Sequence, residues 1–293
     1  MPNVKKALMG ASGAGGGGAV RNLFVWGKNN KGQLGLGDTT NRSSPVQVGS
    51  LSTWATGAVS QYTSHTMAIK TDGTMWSWGR NNQGQLGLGN LTDTSSPVQI
   101  GALTTWRQVA AATRSGSAIT TGGDAFSWGT CIYGNLGQGN SNTATSSPVL
   151  LSGAQGQWYN IFMSGFQSGG LKKSGSDITM FTWGNAFYGG TGQGNTTNLS
   201  NPTQLGSLTD WKLNTREING VTQYFSPAGA SSNMIPNIHV KSDGTLWAWG
   251  IGNNGQRGDG VANNTNSSPI QIGSSTNWTQ AYFASTQGAA FEY

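Results

Sequence analysis

The side chains that could carry acid–base or nucleophilic chemistry are few in this chain. Its 293 residues include two histidines, one cysteine and ten carboxylates. His65 and His239 each lie beside an extended run just ahead of an Asp-Gly-Thr turn, and no serine, cysteine or acid stands at a spacing that indicates a catalytic partner. Asp72 and Asp243 occupy the two equivalent turns, where aspartate bonds to its own backbone. These patterns predict structural roles and no enzyme, with a carboxylate pair formed across units as the alternative.

The other candidates for a cofactor or metal site are the cysteine and a glycine motif. Cys131 stands alone, which excludes an internal disulfide and a cysteine cluster for metal, and it is predicted to be a buried apolar residue. The motif "GQLGLG" at 84–89 is similar to a phosphate-binding loop, but no strand-to-helix context follows it and a copy recurs in nearly every unit. We therefore predict no cofactor and no bound metal.

Ten of the twelve tryptophans recur with a common period. The spacing within each of two series is 50 to 67 residues. A third marker, "SSPVQVG" at 43–49, returns at 95–101, 146–152, 201–207 and 267–273 with some substitutions. Shared periodicity of independent markers indicates an array of about five units, with the indoles filling the gaps between neighbours. The two series are Trp26, Trp78, Trp128, Trp183 and Trp249, and Trp54, Trp106, Trp158, Trp211 and Trp278.

Each unit reads as about four short strands joined by elaborate turns. In the stretch 65–79, two runs of β-forming residues are joined at Asp72-Gly73, a strong hairpin signal, and 239–250 repeats the pattern. Alternation places Trp76 and Trp78 on one face of their strand. The leucines of "GQLGLG" are predicted to insert into the core, and the proline of each "SSPV" to lie at the start of an extended run. One such small sheet cannot bury its own faces, so the units must stack around an axis.

The sequence resembles the regulator-of-chromosome-condensation repeat, which builds β-propellers. The resemblance rests on tryptophan-glycine, then asparagine, "GQLGLG", "SSPV" and a strand before "TDGT". It covers residues 23–293, is strongest at 60–101 and 239–273, and weakens at 160–206. It implies an all-β fold, a β-propeller of about five four-stranded blades. Members of the family usually have seven repeats, so this chain departs from the family in repeat number.

The domain organisation follows from the repeat. Residues 1–22 are predicted to be a flexible glycine-rich leader, and 23–293 to be a single propeller domain. The repeat units are about 51–102, 103–153, 154–207 and 208–274. Residues 23–50 supply the last strands of a unit and 275–293 its first strands, so the two ends are predicted to share a closing blade that removes the open edge. The alternative is an open arc completed by another subunit.

Composition narrows the classes of function. Only 9% of the residues are charged, and the net charge is +6. The lysines and arginines are scattered, whereas nucleic-acid binding requires a clustered basic stripe, so nucleic acid is an unfavoured partner. No apolar run is long enough for a membrane helix, and the leader lacks the apolar region of a secretory signal. The prediction is a non-enzymatic structural or interaction protein.

The function that these features favour is a phage virion component, such as a tail, fibre or capsid appendage, used as a rigid binding or adhesion surface. The leader and compact repeats are also similar to phage structural proteins, which implies partners among other virion proteins, a host receptor or a glycan, and possible homo-oligomers. Localisation would be the virion, after synthesis in the host cytoplasm. One alternative is a cytoplasmic scaffold or regulator of the chromosome-condensation repeat type, and another is a carbohydrate-binding module.

The candidate interface is the long insertion at 216–237. The unit that contains it is longer than its siblings, and long loops on a rigid scaffold are where binding usually resides. A self-packed loop is the alternative. The apolar residues that would make the contact are Val221, Tyr224, Phe225, Met234 and Ile235.

Overall fold

The computed structural model describes residues 21–50, 53–59, 64–153, 155–212, 215–218, 221–224, 236–262, 265–283 and 288–293. These residues form strands and turns, and their only helical segment is a three-residue 3-10 turn at Phe187–Gly189. The strands are β1 (Phe24–Gly27), β2 (Arg42–Gln47), β3 (Trp54–Val59), β4 (His65–Lys70), β5 (Met75–Gly79), β6 (Thr94–Gln99), β7 (Trp106–Ala111), β8 (Ser115–Thr120), β9 (Ala125–Gly129), β10 (Thr145–Leu150), β11 (Trp158–Met163), β12 (Gln167–Ser174), β13 (Asp177–Gly184), β14 (Leu199–Gln204), β15 (Thr215–Ile218), β16 (Val221–Tyr224), β17 (Pro236–Val240), β18 (Leu246–Ile251), β19 (Thr265–Gln271), β20 (Trp278–Phe283) and β21 (Gly288–Glu292).

The sheets are the blades of a β-propeller. Three of them, β3–β6, β7–β10 and β11–β14, have four antiparallel strands in chain order. The first strand of one blade contacts the first strand of the next, as β3 contacts β7 and β7 contacts β11. These first strands therefore lie innermost, beside the propeller axis, and the strands that contain "SSPV" lie outermost.

The core is divided among the gaps between blades. Met67, Ile69 and Met75 of one blade pack with Trp106 and Trp128 of the next, and equivalent clusters fill the following gaps. On the opposite face of the first blade, Trp54 and Trp78 pack against the β1–β2 sheet. Neither face of a single blade is buried by its own residues, which is why the array requires stacked neighbours.

The turns follow their residue types. Gly73 adopts a φ of +78°, and a Cβ there would collide with the carbonyl of Thr104, so this position of the β4–β5 hairpin requires glycine. Thr74 donates to Asp72 through both its backbone N–H and its hydroxyl, which is the self-bonding turn that the sequence predicts. The sequence predicted that the proline of each "SSPV" lies at the start of its strand. This prediction was wrong for β6, where Pro97 is the fourth residue. Proline is tolerated there since β6 is an outer edge strand with an irregular register.

The fourth and fifth units differ from the first three. In the fourth, β17–β19 form a three-stranded sheet, Trp211 bridges to Lys241, and the described residues 215–218 and 221–224 form the separate β15–β16 sheet. The expected closing blade consists of two two-stranded sheets, β1–β2 and β20–β21. Among the described residues, no ladder joins β1 to β21, so the shared blade stays a prediction.

Candidate binding cleft

The propeller has two faces with different chemistry. The hairpin face contains the Asp-Gly turns between the second and third strands of each blade. The glycine-loop face contains the glycine-rich loops between the third and fourth strands. On the hairpin face, a cleft of about 430 Å³ opens between the blades β7–β10 and β11–β14.

Three side chains give the cleft its character: Arg107 on β7, Tyr159 on β11 and Lys173 on β12. The Arg107 guanidinium lies 5.2 Å from the centre of the Tyr159 ring, and the Lys173 amine lies 5.4 Å from it. A cation near an aromatic face is attracted by the negative face of the ring. None of the ten residues that line the cleft in the described part of the chain is acidic. The cleft is therefore cationic with an aromatic surface.

The inner strands hold the cleft in a fixed shape. Arg107 Nη2 donates to the carbonyls of Trp158 and Tyr159, at 3.1 Å each, so this side chain also joins the two blades. Below it, the buried Gln108 amide donates to Asn160 Oδ1 at 2.9 Å and accepts from the backbone of Ile161 at 3.2 Å. These bonds cross a gap that no β-ladder spans. The two walls of the cleft are therefore positioned before any partner arrives.

Glycine allows the hairpin to approach the neighbouring blade. Gly123 has a φ of +84°, and a Cβ there would lie 2.7 Å from the backbone of Gly156. A side chain at this position would push the β8–β9 turn away from the cleft wall. The close approach of Gly123 and Gly156 thus sets the distance between the two rims.

A second lysine lies beside the cleft. Lys172 places its amine 4.5 Å from the centre of the Trp158 ring, and partial burial there lowers the pKa of the amine. In the first blade Lys70 lies 5.3 Å from the centre of Trp54, the counterpart of Trp158, and in another blade Lys241 lies 5.0 Å from the third-strand Trp247. The lysine–indole contact is therefore a feature of the repeat, whereas the pairing of two cations with Tyr159 belongs to this cleft.

The residues considered first for catalysis are buried. His65 is buried, and burial lowers its pKa to about 4. His239 stacks on Trp249 with ring centres 5.3 Å apart, and burial lowers its pKa to about 3. Cys131 is buried, which raises the pKa of its thiol. In the part of the chain that the structure describes, no cluster of three or more histidine, cysteine or acidic residues could hold a metal ion.

The repeat tryptophans lie mostly in the gaps between blades. Trp78, Trp128, Trp183 and Trp249 are at most 1% exposed, and each donates its indole N–H to a backbone carbonyl in the preceding glycine loop. In the second series, Trp54, Trp106, Trp158 and Trp211 are buried and Trp278 is partly buried. Trp26 differs, since it is 60% exposed.

The predicted interface insertion is only partly described. Val221 and Tyr224 lie in β16, which pairs with β15 in a regular antiparallel register. Phe225, Met234 and Ile235 lie outside the described residues. The contact predicted for these five side chains therefore stays a prediction. The described residues also contain no helix long and apolar enough to cross a membrane.

The cleft was missed at the sequence level. Arg107, Tyr159 and Lys173 are 52 and 14 residues apart along the chain, and nothing in their local motifs links them. The signal that could have found them is departure from the repeat: Arg107 and Tyr159 hold the same position after the inner-strand tryptophan, where other units have alanine, lysine or threonine.

Comparison with known proteins agrees with this architecture. The family model described as "Regulator of chromosome condensation (RCC1) repeat" matches residues 22–69 and 72–119, and a second model of that description matches 58–85. The Ultraviolet-B receptor UVR8 of Arabidopsis thaliana is 30% identical over 244 residues, which are 80% of this chain and 50% of the receptor. The chain spans half or less of the length of the curated relatives it matches.

Two solved structures show the same fold. Human WBSCR16 superposes with a TM-score of 0.70 at 21% identity, covering 92% of this chain and 67% of that one. The structure of Kap60 bound to yeast RCC1 (Prp20) gives 0.72 at 16% identity, covering 93% and 63%. The matched repeats and this shared fold lead to one assignment: the chain is a β-propeller that contains repeats of the regulator-of-chromosome-condensation type.

Proposed function

We propose that this chain is a non-enzymatic protein-binding propeller whose cleft at Arg107, Tyr159 and Lys173 takes an acidic segment of a partner protein. The observation behind the proposal is the pairing of two cations with one aromatic ring in a cleft without acidic lining. A carboxylate can contact Lys173 while the apolar part of the segment packs on Tyr159.

The shape of the cleft supports a polypeptide ligand. It is open and about 430 Å³ in volume, and its rim includes Gly122, Gly156 and Gly175, whose backbone groups can bond to another backbone. The walls are already joined by Arg107 and Gln108, so binding requires little ordering of the protein. The Kap60 complex is an instance of a propeller of this fold that binds another protein.

The test is binding of a short fluorescent oligoglutamate peptide, followed by anisotropy at fixed ionic strength. We expect Lys173→Gln to weaken binding about tenfold, and Arg107→Gln to weaken it at least as much, because each removes one charge that faces the ligand. Lys173 is exposed, so its substitution leaves the fold intact. Binding should also weaken as salt is added.

Lys212→Gln is the matched control, because Lys212 follows the inner-strand tryptophan of another blade just as Arg107 does. It should bind the peptide as the unmodified protein does. Equal affinity for oligolysine, unchanged binding by Lys173→Gln, or tighter binding of a single-stranded oligonucleotide would each overturn the proposal.

The predictions of a virion role, of a location and of glycan binding come from the sequence alone. A phage virion role is motivated by low charge and the leader, and none of the relatives named above is a phage protein. The virion location and its cytoplasmic alternative both stay predictions, as does glycan binding. A search for the chain in purified virus particles from its source decides the first.

A further inference from the structure

A small cavity on the glycine-loop face has the composition of an anion site. It measures about 130 Å³ and lies where the glycine loop after β5 meets the blade β7–β10. Its lining residues are Arg80, Asn82, Gln83, Gln85 and Arg114, none of them acidic. The cavity is on the opposite side of the propeller from the cleft and shares no residue with it.

The centre of the cavity contains a buried donor. Gln85 is fully buried, and its Nε2 has no hydrogen-bond partner among the described residues. The orientation of this amide is determined by its other end, because Gln85 Oε1 accepts the backbone N–H of Gln83 at 2.8 Å. The group without a partner is therefore the N–H₂, and a buried donor left unsatisfied costs free energy.

The acceptors around the cavity are already occupied. Asn82 Oδ1 accepts from Arg80 Nε at 3.0 Å, and Gln83 Oε1 lies 3.1 Å from the hydroxyl of Thr130, which donates to it. Two guanidinium groups and the amide N–H₂ groups of Asn82, Gln83 and Gln85 remain as the side-chain donors able to contact a ligand. Donors and positive charge without acceptors select an oxyanion.

The repeat shows that this arrangement is local to one junction. The position of Arg80, directly after tryptophan-glycine, holds Lys28, Thr130, Asn185 and Ile251 in other units. Arg114 corresponds to Ser64 and Phe166, since the carbonyl of each of the three accepts the same backbone bond. The position of Gln85 holds glutamine in two other units, where Gln33 and Gln256 accept the equivalent backbone N–H through Oε1, and Asn135 and Gly190 in the remaining two. The repeat therefore accounts for Gln85 but not for the two arginines that flank the cavity.

We propose that this cavity binds a small oxyanion, a carboxylate or phosphate group, between the guanidinium groups of Arg80 and Arg114 and over the amide of Gln85. Each arginine would donate to one oxygen of the anion, and one of these two oxygens would also accept from Gln85 Nε2. The inference stands apart from the proposed function, because it concerns the other face of the propeller.

The test uses the intact chain and sodium acetate or inorganic phosphate as probes at fixed ionic strength. The side-chain N–H₂ signals of Gln85 are followed by ¹H–¹⁵N NMR, with Gln85→Leu used for assignment. We expect a saturable shift of these signals, and about tenfold weaker binding in Arg80→Gln and in Arg114→Gln. Tighter acetate binding points to a carboxylate ligand, and tighter phosphate binding to a phosphate.

Lys28→Gln is the matched control, because Lys28 holds the position of Arg80 in another unit. Its affinity should stay that of the unmodified protein. The proposal is overturned if neither probe shifts the Gln85 signals saturably, or if Arg80→Gln and Arg114→Gln bind as Lys28→Gln does. Arg114 is exposed, so its variant keeps the fold and the result stays interpretable.

Discussion

Single residues in this chain are best understood by comparing them with their counterparts in other units. The positions of Asp72 and Trp78 were predictable, because each recurs, and Asp72 lies in a turn with a known residue preference. The contact among Arg107, Tyr159 and Lys173 was not predictable, because it depends on which blades are neighbours and on the length of each side chain. Periodicity reveals what units share, whereas a site arises where they differ.

The buried histidines predict a pH dependence of stability. The pKa of His65 is lowered from 6.5 to about 4 and that of His239 to about 3, both by burial. The unfolded chain therefore binds more protons below about pH 6.5, so stability is present above that value and falls as pH decreases toward 4. At about pH 5 each histidine should cost about 2 kcal/mol. The carboxyl groups of Asp72 and Asp243, whose pKa values are lowered, affect stability only at a pH below the range in which the histidines act.

Urea unfolding at neutral pH and at about pH 5 measures the effect. His239→Phe keeps an aromatic ring against Trp249 but cannot be protonated. It should reduce the pH dependence by about half, with the remainder assigned to His65. An unchanged slope in this variant would show that the titrating groups lie elsewhere.

The glycine loops are the elements that join one unit to the next. A Cβ at Gly84 would collide with Ser146, and Gly89 N–H donates to the carbonyl of Ser146 at 2.8 Å. The sequence predicted tight turns and inserted leucines here, and Leu86 is indeed buried. It did not predict the contact with the following blade, because hydrophobic pattern contains no information on which backbone groups meet across a gap.

The last glycine loop departs from this pattern and provides a prediction. Arg257 and Asp259 occupy the positions of Leu86 and Leu88, and they form a buried ion pair at 2.5 Å. Either single leucine substitution leaves a buried charge without its partner, which should cost about 3–5 kcal/mol. The double variant Arg257→Leu/Asp259→Leu restores the pattern of the earlier units, so we expect it to recover most of that loss.

A double-mutant cycle by urea unfolding checks this expectation. The interaction between the two substitutions should be large and favourable. Additive losses would mean that the loop needs both charges for a reason other than their pairing. Lys31→Gln, which removes the partner of a solvent-exposed ion pair with Asp93, should change stability by less than about 1 kcal/mol and serves as the control.

At the scale of the whole molecule, the contacts between units form a series, and no ladder among the described residues joins its two ends. Four tryptophans donate to the glycine loop of the preceding unit, at Gln33, Gln85, Asn135 and Gly190. The next carbonyl in the series is that of Gln256, and the tryptophan in the matching position is Trp26. Trp26 is 60% exposed, and a Cβ added at Gly255 or Gly260 would meet no atom of the described residues within 4 Å. The two ends therefore present matching halves of one inter-unit contact.

The register of a complete blade predicts how those halves join. In the first blade, Met67 of β4 pairs with Ser77 of β5. The equivalent residues are Ala289 in β21 and Val25 in β1, so we expect them to face each other across the closing blade. Oxidation of Val25→Cys/Ala289→Cys should then give a disulfide within one monomer, seen by non-reducing electrophoresis and mass spectrometry. The buried Cys131 and the two single variants are the internal controls. A disulfide-linked dimer would show instead that a second subunit completes the ring, and an unreacted pair would show that the arc stays open.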